Sequence, residues 1–139
     1  MDAGSLGKGS DVLSDAGRDD ELPALGIEQF SGAGYRGCRL AGEIDFTCAG
    51  PVQATLTALV LPGGGTVVVD LTRVTFIDSS GLGVLVQAHR NSLEQATRLL
   101  VVTSPPVAKL LRITALDEVL ETYENLAAAE AAVVSAGGR

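Results

Sequence analysis

The chain of 139 residues has no Trp, one His, one Met, two Cys, three Phe and two Tyr. One His and two Cys cannot fill a four-ligand protein zinc site, and no carboxylate-rich loop has the spacing of a calcium site. No metal ion and no cofactor is expected. Basic residues are scarce as well: 10 Lys and Arg stand against 17 Asp and Glu, a formal charge of −7. Binding along a phosphate backbone requires a basic face, so direct nucleic-acid recognition is not expected. No run approaches the ~18 consecutive apolar residues of a membrane span. The start, Met1 to Val12, lacks the charged-then-apolar layout of a secretory signal. These absences point to a cytoplasmic protein with no membrane partner, in which Cys38 and Cys48 are reduced thiols.

What is present suits one domain, with 46% hydrophobic residues in a chain long enough to bury a single core. Charge is spread unevenly. Residues 1–22 hold Asp2, Asp11, Asp15, Asp19, Asp20 and Glu21 against Lys8 and Arg18, more than half of the net negative charge, among several Gly and Ser. Such a segment has too little apolar surface to offset the entropy of ordering itself. It reads as a flexible acidic tail over 1–22, followed by one domain over 23–135.

Within the domain, two hydrophobic periods alternate, as when strands and helices take turns. Leu25–Phe30 and Tyr35–Leu40 read as strands joined through Ser31-Gly32-Ala33-Gly34, a hairpin signal. Val52, Leu56 and Leu59 recur at helical spacing behind Pro51, and Pro62-Gly63-Gly64-Gly65 stops that helix. The Gly run lacks the Gly-Lys-Ser/Thr that a phosphate-binding loop needs, so it is a turn. Thr66–Leu71 is a β-branched run suited to a strand covered on both faces. Leu82, Leu85, Val86 and Leu93 form a second helical stripe before another buried strand, Arg98–Val102. Pro105 and Pro106 open a short helix, Val119–Tyr123 reads as an edge strand, and Leu126–Val134 as a closing helix. Two β-α-β crossovers and a mixed α/β sheet result.

The chemistry concentrates where the Val67–Leu71 strand runs on into Asp78-Ser79-Ser80-Gly81-Leu82-Gly83. Asp and Ser accept hydrogen bonds from the free amides of a helix start, so one of Asp78, Ser79 and Ser80 caps the helix. Capping does not explain Gly81 and Gly83, each of which costs ~1 kcal/mol relative to Ala inside a helix. A helix N-terminus carries about half a positive charge and several unpaired amides, so it accommodates an added phosphate. Two serines on a bare surface there suit a phosphoacceptor. An unrelated hydrolase using Ser79 or Ser80 is the catalytic alternative. The lone His89 lies roughly 14 Å along the same helix by the 1.5 Å rise, which argues against that pairing.

Three blocks in order carry a family resemblance: Gly42-Glu43-Ile44-Asp45, Asp78-Ser79-Ser80-Gly81-Leu82-Gly83-Val84-Leu85, and Ser104-Pro105-Pro106-Val107 through Leu116. Together they resemble the STAS domain of bacterial anti-sigma factor antagonists over about residues 24–134. The resemblance implies a STAS-like mixed β-sheet of four to five strands packed with about four helices. It also implies a non-enzymatic module that binds an anti-sigma factor and so controls sigma-factor-dependent transcription. The implied partner is a serine kinase that phosphorylates the antagonist, with a phosphatase reversing the step. Carried over, the acceptor is Ser79, the first serine after the Asp, with Ser80 as the alternative. Asp45, Asp78, Ser80, Gly81 and Gly83 would share the partner-facing surface. Asp45 has a second reading as a cap for the following helix. A STAS scaffold, or an accessory subunit of a stress-signalling or lipid-transport complex, is the rival function.

The sequence departs from the family where Cys48-Ala49-Gly50-Pro51 replaces a capping Thr or Ser and helix formers. A thiol at a helix N-terminus can have a lowered pKa. Cys48 and Cys38 are therefore candidates for a redox pair, against the plainer reading of small apolar residues. His89, at the edge of its apolar stripe, reads as a packing residue.

Overall fold

The computed structural model describes residues 25–62 and 64–137; the acidic segment 1–22 lies outside them. β1 (Gly26–Gly32) and β2 (Tyr35–Ile44) form the hairpin, closed by Ala33 and Gly34. Gly34 takes φ +84°, a left-handed conformation that glycine adopts without strain. α1 (Ala49–Leu59), β3 (Thr66–Ile77), α2 (Ser79–Glu94), β4 (Arg98–Val102) and α3 (Pro105–Ile113) follow. A 3₁₀ turn (Leu116–Glu118), β5 (Glu121–Tyr123) and α4 (Leu126–Gly137) complete the described chain. The five strands lie in sequence order, β1-β2-β3-β4-β5. β1 is antiparallel to β2, and β2, β3, β4 and β5 are mutually parallel.

The expected mixed sheet with four helices is thus present, with three differences. β3 continues past Leu71 to Ile77, because β2 continues beside it to Ile44 through register shifts after Arg39 and Gly42. The last strand loses Val119 and Leu120 to the preceding turn, where Leu120 fills a core position. Since β5 is parallel to β4, α3 makes a third crossover where the sequence pattern showed two.

Alternation along the strands divides the core. Val67, Val69 and Leu71 of β3, with Leu99 and Val101 of β4, turn toward Val52 and Leu56 of α1, Val84 and Leu85 of α2, and Val107 and Leu111 of α3. Their neighbours Val68, Leu100 and Val102 turn the other way, toward Tyr35 and the α4 residues Ala129 and Val133. α4 is held further by Tyr35 Oη donating to Glu130 Oε2 at 2.5 Å and by Arg98 Nη1 donating to the Ala132 carbonyl at 3.2 Å. Burial, then the hydrogen bond to Glu130, pushes the Tyr35 hydroxyl up to about 12, so it donates throughout the physiological range. One consequence of the parallel order matters for function: β2 and β3 deliver their C-terminal ends side by side to one rim of the domain.

Candidate phosphorylation and partner-binding site

At that rim Ile44 pairs with Ile77, and the Asp78 amide donates to the Ile44 carbonyl at 3.1 Å, one residue beyond the end of β3. Asp45 and Asp78 therefore leave adjacent strand ends together. Asp78 is the N-cap of α2: extended at φ −105°, ψ −172°, its Oδ1 accepts from the amides of Ser80 at 2.9 Å and Gly81 at 3.1 Å. Of the three capping candidates, the carboxylate serves. Ser79, the first residue of α2, is left exposed, and Ser80 is half-buried.

The cap revises one expectation. Two first-turn amides on which a phosphate was expected to draw already bond Asp78. A phosphate on Ser79 would stand beside an existing carboxylate and face solvent, presenting its charge outward.

The two glycines differ. Gly81 is buried, and a Cβ there would come within 2.5 Å of Ile77 Cγ1 and 2.9 Å of Ile44 Cγ2. Its bareness serves the close approach of α2 to the ends of β2 and β3, which corrects its expected place on the partner-facing surface. Gly83 is exposed, and a Cβ there would meet nothing within 4 Å. No contact among the described residues requires glycine at that position.

Asp45 does not cap α1. Its Oδ1 accepts from the Thr47 amide at 2.9 Å and from the Thr47 hydroxyl, closing a tight turn. The Thr47 hydroxyl first, then the Thr47 amide, hold the Asp45 carboxyl below the usual carboxylate range, so the rim is anionic. The N-cap of α1 is Cys48, which makes no side-chain capping bond. Its Sγ instead accepts from the Asp45 amide at 3.3 Å. Cys38 is fully buried inside β2, and burial, then the nearby Asp70, push its thiol up to about 12. A buried, protonated thiol is a poor nucleophile, so the Cys38–Cys48 redox pair is not supported. His89 sits half-buried on α2, with its carbonyl accepting from Ser92 Oγ at 2.6 Å.

Sequence reasoning missed the apolar surroundings of the rim. Phe46 is 75% exposed and Phe76 48% exposed, although the whole chain has three Phe. Phe76 and its neighbours Thr75 and Ile77 form one wall of a groove of about 290 Å³, and Pro106, Lys109, Leu110 and Ile113 of α3 form the other. The available signal was a Phe close to the end of each of the two strands, Phe46 just after Asp45 and Phe76 two residues before Asp78, in a chain with few aromatics.

A sequence profile of the STAS domain matches residues 33–129. The chain belongs to the STAS domain family. Two curated relatives, anti-sigma-B factor antagonists of Listeria monocytogenes and Listeria innocua, are each 34% identical over 83 residues, covering 59% of this chain and 73% of theirs. The crystal structure of an anti-sigma factor antagonist from Mycobacterium paratuberculosis superposes with a TM-score of 0.71 at 26% identity, covering 79% of this chain and 94% of that one. The anti-sigma factor antagonist SpoIIAA in its unphosphorylated form shares the fold, with a TM-score of 0.57 at 21% identity over 84% of this chain and 100% of that one. Among the described residues no helix of this STAS domain is long and apolar enough to cross a membrane, and no three His, Cys, Asp or Glu gather as metal ligands.

Proposed function

We propose that this STAS protein is an anti-sigma factor antagonist whose grip on an anti-sigma serine kinase is released by phosphorylation of Ser79. The observation that carries the reading is the exposed Ser79 hydroxyl at the start of α2, between the Asp78 cap and the open surface at Gly83. The names of its Listeria and Mycobacterium relatives supply the partner class. Asp45, Asp78, half-buried Ser80 and Gly83 belong to the contact surface in this reading, and exposed Phe46 and Phe76 add apolar anchors. The protein acts by binding, without catalysis of its own, in the cytoplasm; a phosphatase resets it.

The switch follows from charge. Phosphorylation adds about −1.5 to −2 charges at pH 7, and a unit charge facing another about 6 Å away costs roughly 3 kcal/mol at an effective dielectric near 20. That is about a hundredfold in affinity. Because Asp78 already holds the first-turn amides of Ser80 and Gly81, the phosphate gains little internal neutralisation, and its charge falls on the partner.

Incubation with a cognate anti-sigma kinase and ATP, followed by mass spectrometric mapping, should place the phosphate on Ser79. Ser80→Ala should remain a substrate and Ser79→Ala should not. Ser79→Asp should bind the kinase at least tenfold more weakly than Ser79→Ala. Phosphate on Ser80 alone would move the acceptor, and equal binding of the two Ser79 variants would defeat the switch.

A further inference from the structure

The sheet edge remote from α3 has a property that the Ser79 reading does not use. β1 is the outermost strand, and its residues are exposed apart from half-buried Phe30. Among the described residues nothing pairs with its outer side. Edge strands in monomeric proteins are commonly blocked by Lys, Pro, bulges or covering loops. Gly26–Gly32 has no Lys and no Pro, pairs with β2 in unbroken register, and carries one charge, Glu28. Counted from the two-residue turn, the antiparallel ladder directs the amides and carbonyls of Ile27, Gln29 and Ser31 outward, away from β2.

We propose that two copies of this chain associate through antiparallel β1–β1 pairing about a two-fold axis at Gln29, joining their sheets into one. The register about that axis is self-complementary. Ile27 faces the partner's Ser31, Gln29 faces the partner's Gln29, and Glu28 faces the partner's Phe30. The last pair selects a second copy of this chain. Arg39 lies over the Phe30 ring with its guanidinium carbon 4.9 Å from the centroid, anchored to Asp70 Oδ2 at 3.0 Å. The Glu28 side chain is 68% exposed and reaches Arg39 of its own chain only at 3.6 Å. Each strand thus offers an under-used carboxylate and, one step away on the same face, a ring with a cation above it. Two-fold symmetry brings each to its complement twice. The Ser79 rim lies at the C-terminal ends of β2 and β3, away from this edge, so pairing leaves it open and the proposal stands or falls independently of the phosphoswitch.

Sedimentation equilibrium of the full chain from about 10 μM to about 1 mM spans the range of weak one-strand association. The apparent mass should rise toward twice the monomer value. Gln29→Pro removes an outward amide without taking a hydrogen bond from β2, and should stay monomeric while keeping the wild-type circular dichroism spectrum. Glu28→Arg, which sets a cation against the partner's Arg39, should weaken association at least tenfold. Hydrogen exchange on the wild type supplies a readout that needs no variant: the amides of Ile27, Gln29 and Ser31 should slow as concentration rises. A wild type that stays monomeric throughout, a dimer that survives in folded Gln29→Pro, or unchanged exchange at those three amides would overturn the proposal.

Discussion

β3 meets two different fates along its length. In its middle, Asp70 is 2% exposed and fully engaged: the Thr72 amide and hydroxyl donate to one oxygen at 2.9 and 2.7 Å, and Arg39 Nε to the other at 3.0 Å. Just past its end, Asp78 holds two amides of α2, and Ser79 and Gly83 beyond it are left to solvent. One aspartate completes the interior; the other prepares a surface. An anion that the fold itself must neutralise is given partners on its own strand and on the neighbouring one. In the proposed reading, the rim at Ser79 keeps its outer side open for a partner.

The largest expected effect breaks the inner half of that contrast. Asp70→Asn leaves Arg39 without its close counter-charge and should cost about 2 kcal/mol in urea unfolding, less than a fully buried broken pair because Arg39 retains some solvent contact. The acid limb of stability should change with it. Burial raises the Asp70 carboxyl, but the Thr72 hydroxyl and amide and then Arg39 outweigh it, so its pKa lies below the usual value. A depressed carboxylate pKa contributes stability that is present above the unfolded pKa, about 4, and lost as pH falls through the folded value. Unfolding free energy measured from pH 6 down to pH 2 should therefore decline more steeply in wild type than in Asp70→Asn. Parallel curves would mean that Asp70 is held no more tightly than a surface carboxylate.

Next in size is Gly81→Ala. The new Cβ would overlap Ile77 and Ile44, which must shift. Overpacking of this kind costs about 1–3 kcal/mol, and better helix propensity returns about 1, so a net loss of about 1 kcal/mol is expected in thermal or urea melts. A neutral or stabilised variant would show that α2 can ride outward, and that Gly81 is not the packing residue its surroundings describe.

How far the sequence foretold these regions follows from the range of the interactions. The β-branched run Thr66–Leu71, the compact strand Arg98–Val102 and the Pro-led start of α3 are local patterns, and each forms the element expected. The Asp78-Ser79-Ser80 cap was legible for the same reason, since capping is decided within one helical turn. The second half of β3 was not, because Thr72, Arg73, Thr75 and Phe76 lack a buried-strand pattern and are held as strand by pairing with β2. Nor was the Arg39–Asp70 pair, whose members meet only across strands. Gly81 and Gly83 look alike in the sequence; only the Ile44 and Ile77 side chains arriving from two strand ends tell them apart.

Removing the cap tests the hinge between the two regions. Asp78→Ala frees the Ser80 and Gly81 amides and should cost about 1 kcal/mol of thermal stability, the usual worth of an N-cap. Asp78→Asn retains an accepting oxygen and should recover most of it. Should both variants lose partner binding equally while differing in stability, the carboxylate charge itself is part of the contact surface.

The smallest effect on the fold is the most informative for the surface. Gly83→Ala adds a methyl into open space in the second turn of α2, where alanine is favoured over glycine by up to about 1 kcal/mol. The variant should therefore be slightly more stable than wild type in a urea titration. If the position is kept bare for a partner that approaches α2 closely, the same methyl should weaken binding to the anti-sigma kinase by about tenfold, the effect of roughly 1.4 kcal/mol of lost contact. Stability and binding would then move in opposite directions at one atom, which no role in packing this domain can produce. A variant that gains stability and binds as tightly as wild type would remove Gly83 from the interface and confine the surface to Ser79 and the strand ends beside it.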